Sequence, residues 1–226
     1  MRRESIILMT LVCALVLIGI FVVYSASAVD VEAEKRLTRL FLYVVAGFIG
    51  LYTAAHFDYH RLREPILFRT IVIFSFTLLV LVLIPGIGDE RGGAQRWIEV
   101  LGFSFQPSEF AKFALILLVA VKLADNQEQI QTFFGGFFAP ALITAVFAGM
   151  VLLEKDLGTP VVMGAAVYVM MIMAGVRWRY LLPSLAPAFL AIYALSITSP
   201  HRVKRLTAFL DPWSHRDDYG YQLIKS

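Results

Sequence analysis

Ile6-Ile7-Leu8-Met9-Thr10-Leu11-Val12-Cys13-Ala14-Leu15-Val16-Leu17-Ile18-Gly19-Ile20-Phe21-Val22-Val23-Tyr24-Ser25-Ala26-Ser27-Ala28-Val29 runs for 24 residues without a charged side chain. A hydrocarbon core about 30 Å thick is spanned by about 20 helical residues, so a run of this length and character is a membrane span. A secretory leader is shorter, and it is not followed by a series of further apolar runs. Six further stretches of the same kind follow, at 37–55, 70–88, 107–124, 133–153, 159–175 and 180–198. A buried helix of a water-soluble protein does not recur this often in 226 residues. None of the stretches alternates polar with apolar, as the strands of a membrane barrel must. The expected fold is therefore an all-α polytopic membrane protein of about seven spans, forming a single membrane domain over 1–226.

Composition agrees. Hydrophobic residues make up 59% of the chain and charged ones 16%, where a soluble domain carries about a quarter charged. Cys13 is the only cysteine, so neither an intrachain disulfide nor a thiolate metal cluster is available. With the N-terminus in the cytoplasm, the inner segments carry eight cations: Arg2, Arg3, Arg61, Arg63, Arg69, Lys122, Arg177 and Arg179. The outer segments before the tail carry six, namely Lys35, Arg36, Arg39, Arg91, Arg96 and Lys155, which gives a modest positive-inside bias. The tail then adds Arg202, Lys204, Arg205, Arg216 and Lys225 outside, against that bias.

Three polar clusters interrupt the apolar background. The first runs from Gly92-Gly93-Ala94-Gln95-Arg96-Trp97 to Phe105-Gln106-Pro107-Ser108-Glu109-Phe110-Ala111-Lys112. Pro107 suits a first helical turn, and Glu109 then falls at the third helical position, on one face with Lys112. Charges just inside a span face protein interior or a wet cavity; a helix cap with a local ion pair is the structural alternative. The second cluster is Glu154-Lys155-Asp156-Leu157-Gly158-Thr159-Pro160. Here Thr159-Pro160 reads as the cap and first residue of the next helix, with Asp156 either a second cap or a functional carboxylate. In the third, Arg202, Lys204 and Arg205 alternate with apolar residues ahead of Phe209-Leu210-Asp211-Pro212-Trp213. That pattern suits an interfacial anchor or a phosphate-binding segment. No phosphate-cradling glycine loop, zinc-ligand spacing or nucleophile elbow occurs, which argues against an ATPase or a metalloprotease. The acids lie near span ends rather than at mid-span, which argues against an ion channel or proton-coupled transporter.

These motifs, in this order and on these inter-span connections, resemble the SEDS family of bacterial cell-wall membrane proteins, the FtsW/RodA/SpoVE group. The resemblance rests on Gly93-Ala94-Gln95-Arg96-Trp97 with Gln106-Pro107-Ser108-Glu109, on Asp156-Leu157-Gly158-Thr159, and on Phe209-Leu210-Asp211-Pro212-Trp213 with Gly220-Tyr221-Gln222. Tyr24-Ser25-Ala26-Ser27, closing the first span, fits as well. The run from Leu206 to Trp213 leans toward the division-type FtsW. The resemblance implies a glycosyltransferase that polymerises lipid II by inverting transfer, with undecaprenyl pyrophosphate leaving. A lipid II transporter and a non-catalytic scaffold for a transpeptidase are the alternatives.

By the same resemblance Arg96, Trp97, Gln106, Glu109, Lys112, Thr159, Arg202, Lys204 and Arg205 are expected to bind substrate, with Asp156 the candidate catalytic acid. A divalent cation such as magnesium or manganese is possible. The expected partners are a class B penicillin-binding transpeptidase and other proteins of the division or elongation complex, with no nucleic acid. The expected location is the bacterial cytoplasmic (inner) membrane, N-terminus cytoplasmic, with 199–226 opening a large extracytoplasmic loop. The family has about ten spans and places its usual catalytic aspartate beyond Ser226, so this chain reads as an N-terminal portion, inactive alone. The family's usual proline before the motif aspartate is replaced here by Lys155.

Overall fold

The computed structural model describes residues 3–27, 33–91, 94–100, 103–198 and 213. Seven α-helices account for most of them. They divide into two units, Met1–Tyr59 and His60–Ser226. In the first unit α1 (Arg3–Ser27) packs against α2 (Ala33–His56). Apolar side chains such as Leu15, Leu17 and Phe21 stay exposed along α1, as they do in a helix whose solvent is lipid.

A short 3-10 turn, Tyr59–Arg63, runs across the boundary at His60, and α3 (Pro65–Val82) follows as the first α-helix of the second unit. Sequence reading puts this span at 70–88, and the structure moves it toward the N-terminus. Pro65 sits in the first helical turn, where its missing N–H forfeits no bond, so the helix starts ahead of Arg69. It ends at Val82 because Leu83 and Ile84 close tight turns onto Val80 and Leu81, ahead of Pro85.

A small antiparallel meander follows, unforeseen in the sequence. Its strands are β1 (Gly88–Arg91), β2 (Ala94–Val100) and β3 (Phe103–Phe105), in the order β1-β2-β3. A bulge between Asp89 and Glu90 shifts the β1 register. Asp89 stands opposite Trp97, and Ile98 opposite Phe105.

The remaining helices are α4 (Pro107–Asp125), α5 (Ala139–Leu153), α6 (Gly158–Ala174) and α7 (Trp178–Ile197). The core lies among α3 to α6. Ala111, Ala114, Leu115 and Val119 make one fully buried stripe of α4, and its two alanines allow neighbouring backbones to come close. Met163, Val167 and Met171 recur every four residues on α6 and form the facing stripe, with Phe147 and Val151 from α5. By length and composition five segments of the described residues can cross a membrane: 6–25, Leu37–His56, Pro65–Val82, Phe133–Leu153 and Trp178–Ile197. Helix α6 is apolar but shorter, and α4 carries Glu109, Lys112, Lys122 and Asp125.

The fifth span opens with a π-helical turn, Phe133–Phe138, before α5 proper. Thr132 caps it, its Oγ1 accepting from the Gly135 N–H at 3.1 Å. Gly136 is required by close approach: a Cβ there would lie 1.8 Å from the Ile130 carbonyl oxygen. Gly136→Ala is expected to lower stability by about 1–3 kcal/mol. Gly164→Ala, where a Cβ meets nothing within 4 Å, should be neutral or gain up to about 1 kcal/mol. Unfolding midpoints of the two variants in one detergent check the contrast.

Candidate functional site

The polar centre of the second unit forms where β2 meets the α5–α6 turn. Helix α5 ends at Leu153, and Glu154 follows in a near-helical conformation. Lys155 then adopts φ 61°, the left-handed region that usually calls for glycine or asparagine just past a helix. Its N–H closes the turn on the Leu152 carbonyl at 3.0 Å. Lys155 is the only described non-glycine residue with positive φ, and it lies between two buried acids, Glu154 and Asp156. Backbone strain of this kind gathers at functional sites.

Asp156 starts the next helix. Its Oδ1 accepts from the Gly158 N–H at 3.0 Å and the Thr159 N–H at 3.4 Å, and its Oδ2 accepts from the Thr159 hydroxyl at 2.8 Å. These bonds satisfy two of the N–H groups that a helix start leaves orphaned. Sequence reading makes Thr159 the cap. The structure instead puts Thr159 inside α6, because Asp156, three residues upstream, already holds the open N–H groups and takes the threonine hydroxyl as well. Pro160 still sits in the first turn, where its missing N–H forfeits nothing.

Arg96, from β2, joins the meander to this turn. Its Nη2 donates to the Lys155 carbonyl at 2.7 Å, and its Nη1 lies 3.9 Å from Asp156 Oδ1. Its Nε is buried with no acceptor. Glu154 is 1% exposed, and both its carboxyl oxygens lack a hydrogen-bond partner. Burial, reinforced by the Asp156 charge and partly opposed by Arg96, pushes the Glu154 carboxyl up to about 8. At neutral pH it is therefore a neutral acid, which spares the bundle an uncompensated buried charge.

The other expected site residues are arranged as follows. Glu109 and Lys112 pair with each other along α4, Lys112 Nζ donating to Glu109 Oε1 at 2.8 Å. Among the described contacts neither reaches Arg96 or Asp156, so the expected convergence of Glu109, Lys112 and Asp156 is not seen as direct bonding. Gln106 occupies the α4 N-cap position without a side-chain cap bond, and its carbonyl accepts from the Glu109 N–H at 3.1 Å. Ser108, inside the Gln-Pro-Ser-Glu run, is fully buried with an unpartnered hydroxyl. Trp97 follows Arg96 on β2 and so projects from the opposite face of the strand. Arg202, Lys204 and Arg205 lie outside the described residues.

Glu154 is the residue sequence reading left off the candidate site. A second acid two positions before Asp156 was visible, but its burial was not, being created by the packing of α5 and α6 on their neighbours. Among the described residues no three His, Cys, Asp or Glu side chains gather as metal ligands.

The opposite ends of these helices are cationic. Arg63 pairs with Asp125, and Arg177 donates to Gln131 Oε1 through Nε at 3.3 Å and Nη2 at 3.1 Å. The two ends of the bundle thus differ in chemistry, an arginine–carboxyl knot at one and a set of surface arginines at the other.

The strained turn gives a direct expectation. Lys155→Gly should raise stability by about 1 kcal/mol by relieving the left-handed backbone. Lys155→Pro, the residue usual in the resembled family, locks φ near −65° and deletes the N–H bond to Leu152, and should lower stability by about 3 kcal/mol. Thermal unfolding of both variants checks the order.

Comparison with known proteins adds the following. A family model described as a cell cycle protein of the FtsW/RodA/SpoVE type matches residues 5–226. A probable peptidoglycan glycosyltransferase FtsW from Geobacter sp. (strain M18) is 40% identical over 234 residues, covering 100% of this chain and 63% of the relative. A solved chain from work on the coordination of polymerization and crosslinking by a peptidoglycan synthase complex matches with TM-score 0.70 at 31% identity. That match covers 91% of this chain and 59% of the other. A variant of the Thermus thermophilus rod shape determining protein RodA matches with TM-score 0.64 at 27% identity, covering 85% of this chain and 58% of that one. The chain thus spans about three fifths of the length of the curated relatives it matches.

Proposed function

Because this chain belongs to the FtsW/RodA/SpoVE family of multi-pass membrane proteins, we propose that it contributes the Arg96–Asp156 site to a peptidoglycan glycosyltransferase that polymerises lipid II. The observation that carries this reading is Arg96. It is a half-buried guanidinium fixed from below by a backbone carbonyl and an aspartate, at the mouth of the helices rather than on a loose loop. Preorganised cations of this kind stabilise charge that develops on a leaving group without reorganising during the reaction. In lipid II transfer that charge develops on undecaprenyl pyrophosphate.

On this reading Asp156 is a positioning residue. Its oxygens are occupied by the start of α6, so it holds Arg96 and the helix end in place rather than abstracting a proton. The general base, within hydrogen-bond reach of the attacking sugar hydroxyl, lies elsewhere in the whole protein. Glu109 and Lys112 add a second charged pair on α4 for headgroup recognition. Arg202, Lys204 and Arg205 supply further cations for the pyrophosphate.

The same reading orients the chain. The Arg63–Asp125 and Arg177–Gln131 end is cytoplasmic, in keeping with the positive-inside bias, and the Arg96–Asp156 end faces outward in the inner membrane. The partner is a class B penicillin-binding transpeptidase of the division complex.

The test uses the full-length protein with its transpeptidase, labelled lipid II, and glycan chain formation as readout. Asp156→Ala is expected to lower polymerisation about tenfold or more, with folding preserved. Asp156→Asn keeps a cap acceptor but loses the charge facing Arg96, and should fall between wild type and Asp156→Ala. Movement of lipid II across the bilayer with no glycan product, or full activity in Asp156→Ala, would sink the reading.

A further inference from the structure

Two buried groups of opposite chemistry are left open here, one on the α5–α6 turn and one on the arginine that bonds the next residue of that turn. Glu154 has two unpartnered oxygens, and Arg96 has an unpartnered Nε–H. They belong to one electrostatic unit, since the charges that act on Glu154 are those of Asp156 and Arg96. A guanidinium presents five N–H donors in a rigid fork. Here Nη2 is held by the Lys155 carbonyl and Nη1 turns toward Asp156, while the Nε edge has no acceptor.

The other titratable groups on packed elements are few. Lys155 shares the turn and turns its carbonyl to Arg96; Glu109 and Lys112 pair with each other on α4. Helix α6 offers Tyr168 alone, α5 offers none, and α3 offers Arg69. The sequence of β1 and β2 adds Asp89, Glu90, Arg91 and Glu99. Buried groups of opposite chemistry left open in one place are unusual enough to need a reason.

We propose that Glu154 is a proton-controlled positioning residue for Arg96. With its proton on, Glu154 leaves the guanidinium seated on the Lys155 carbonyl, available to an anionic phosphate oxygen. With its proton off, the carboxylate takes the Nε edge in an inward ion pair and withdraws the cation from that oxygen. The proton goes to bulk water; no bond other than O–H breaks. The phosphate ligand rests on the function proposed above, whereas the exchange between Glu154 and Arg96 does not.

Burial holds the Glu154 carboxyl up at about 8, so the outward seat is the neutral-pH state and the inward one forms as pH rises through that value. The sign is fixed by linkage. The folded chain holds this proton more tightly than the unfolded one. Its contribution to stability is therefore full below the ordinary glutamate range and lost as pH rises through about 8. Glu154→Gln mimics the protonated acid in shape and hydrogen bonding, and removes the titration.

Infrared titration of the full-length protein in liposomes tests the exchange without any assay of activity. Wild type should show a protonated-carboxyl C=O band at neutral pH that disappears around pH 8 and is absent in Glu154→Gln. Arg96→Gln removes the charge that favours the ionised form, so the midpoint of that band should move upward. Absence of the band at neutral pH, its persistence in Glu154→Gln, or an unmoved midpoint in Arg96→Gln would overturn the proposal. Should Glu154→Gln fail to fold, Glu154→Asp serves in its place, with a shift of the band as the expected result and an unchanged band as the contrary one. With lipid II as substrate, the wild-type kcat/KM should fall several-fold across pH 8, and Glu154→Gln should flatten that profile. The same fall in both would also overturn the proposal. Absence of polymerisation by the wild type at every pH would instead contradict the glycosyltransferase reading, and the infrared arms would still decide the role of Glu154.

Discussion

The guanidinium of Arg96 joins the meander to the turn between α5 and α6. It bonds the Lys155 carbonyl and faces Asp156, which in turn holds the start of α6. Remove it and three things lose their fixed point together: the strand β2, the strained backbone at Lys155 and the first turn of α6. In a bundle whose core contacts are apolar, a directional charge-assisted knot fixes which end of which helix meets the sheet.

The same economy explains where the chain keeps its other polar groups. Helix α4 is the most enclosed helix of its unit and also the one that carries charges at both ends. Those charges sit where they can pair locally, Glu109 with Lys112 at one end and Asp125 with Arg63 at the other. Between them the buried face is alanine, leucine and valine, which packs closely and leaves no polar atom to satisfy. Lipid offers backbone groups no hydrogen bonds, so irregular structure is confined to helix ends and to the Phe133–Phe138 turn, which its own hydrogen bonds and Gly136 accommodate.

Much of the fold was legible in the sequence because its signal is one of composition. Apolar runs about 20 residues long need no tertiary knowledge to be recognised, and all seven expected runs coincide with helices. The boundaries were harder. Residues 83–88 continue the apolar run of α3, but Pro85 and the left-handed Gly86, with the turns at Leu83 and Ile84, end the helix before them. The meander was missed because its strands are short and separated by glycines in the sequence, so their pairing depends on register rather than on a local pattern. At the site, the types of Arg96, Asp156 and Thr159 were readable, but the roles within the turn were not. Whether Thr159 or Asp156 caps α6 depends on where the backbone turns, and Lys155 turns it in a conformation that sequence patterns assign to glycine. The burial of Glu154 was invisible for the same reason, being created by the packing of α5 and α6 on their neighbours.

The claim on which the account turns is that Arg96 and Asp156 act as one unit. A double-mutant cycle on Arg96→Ala and Asp156→Ala, read as unfolding free energy in a single detergent, measures this without reference to any substrate. The account predicts that the two losses are not additive, with a coupling energy of about 1 kcal/mol or more. Losses that sum to within about 0.3 kcal/mol would mean that the arginine and the aspartate are neighbours without being partners, and would contradict it.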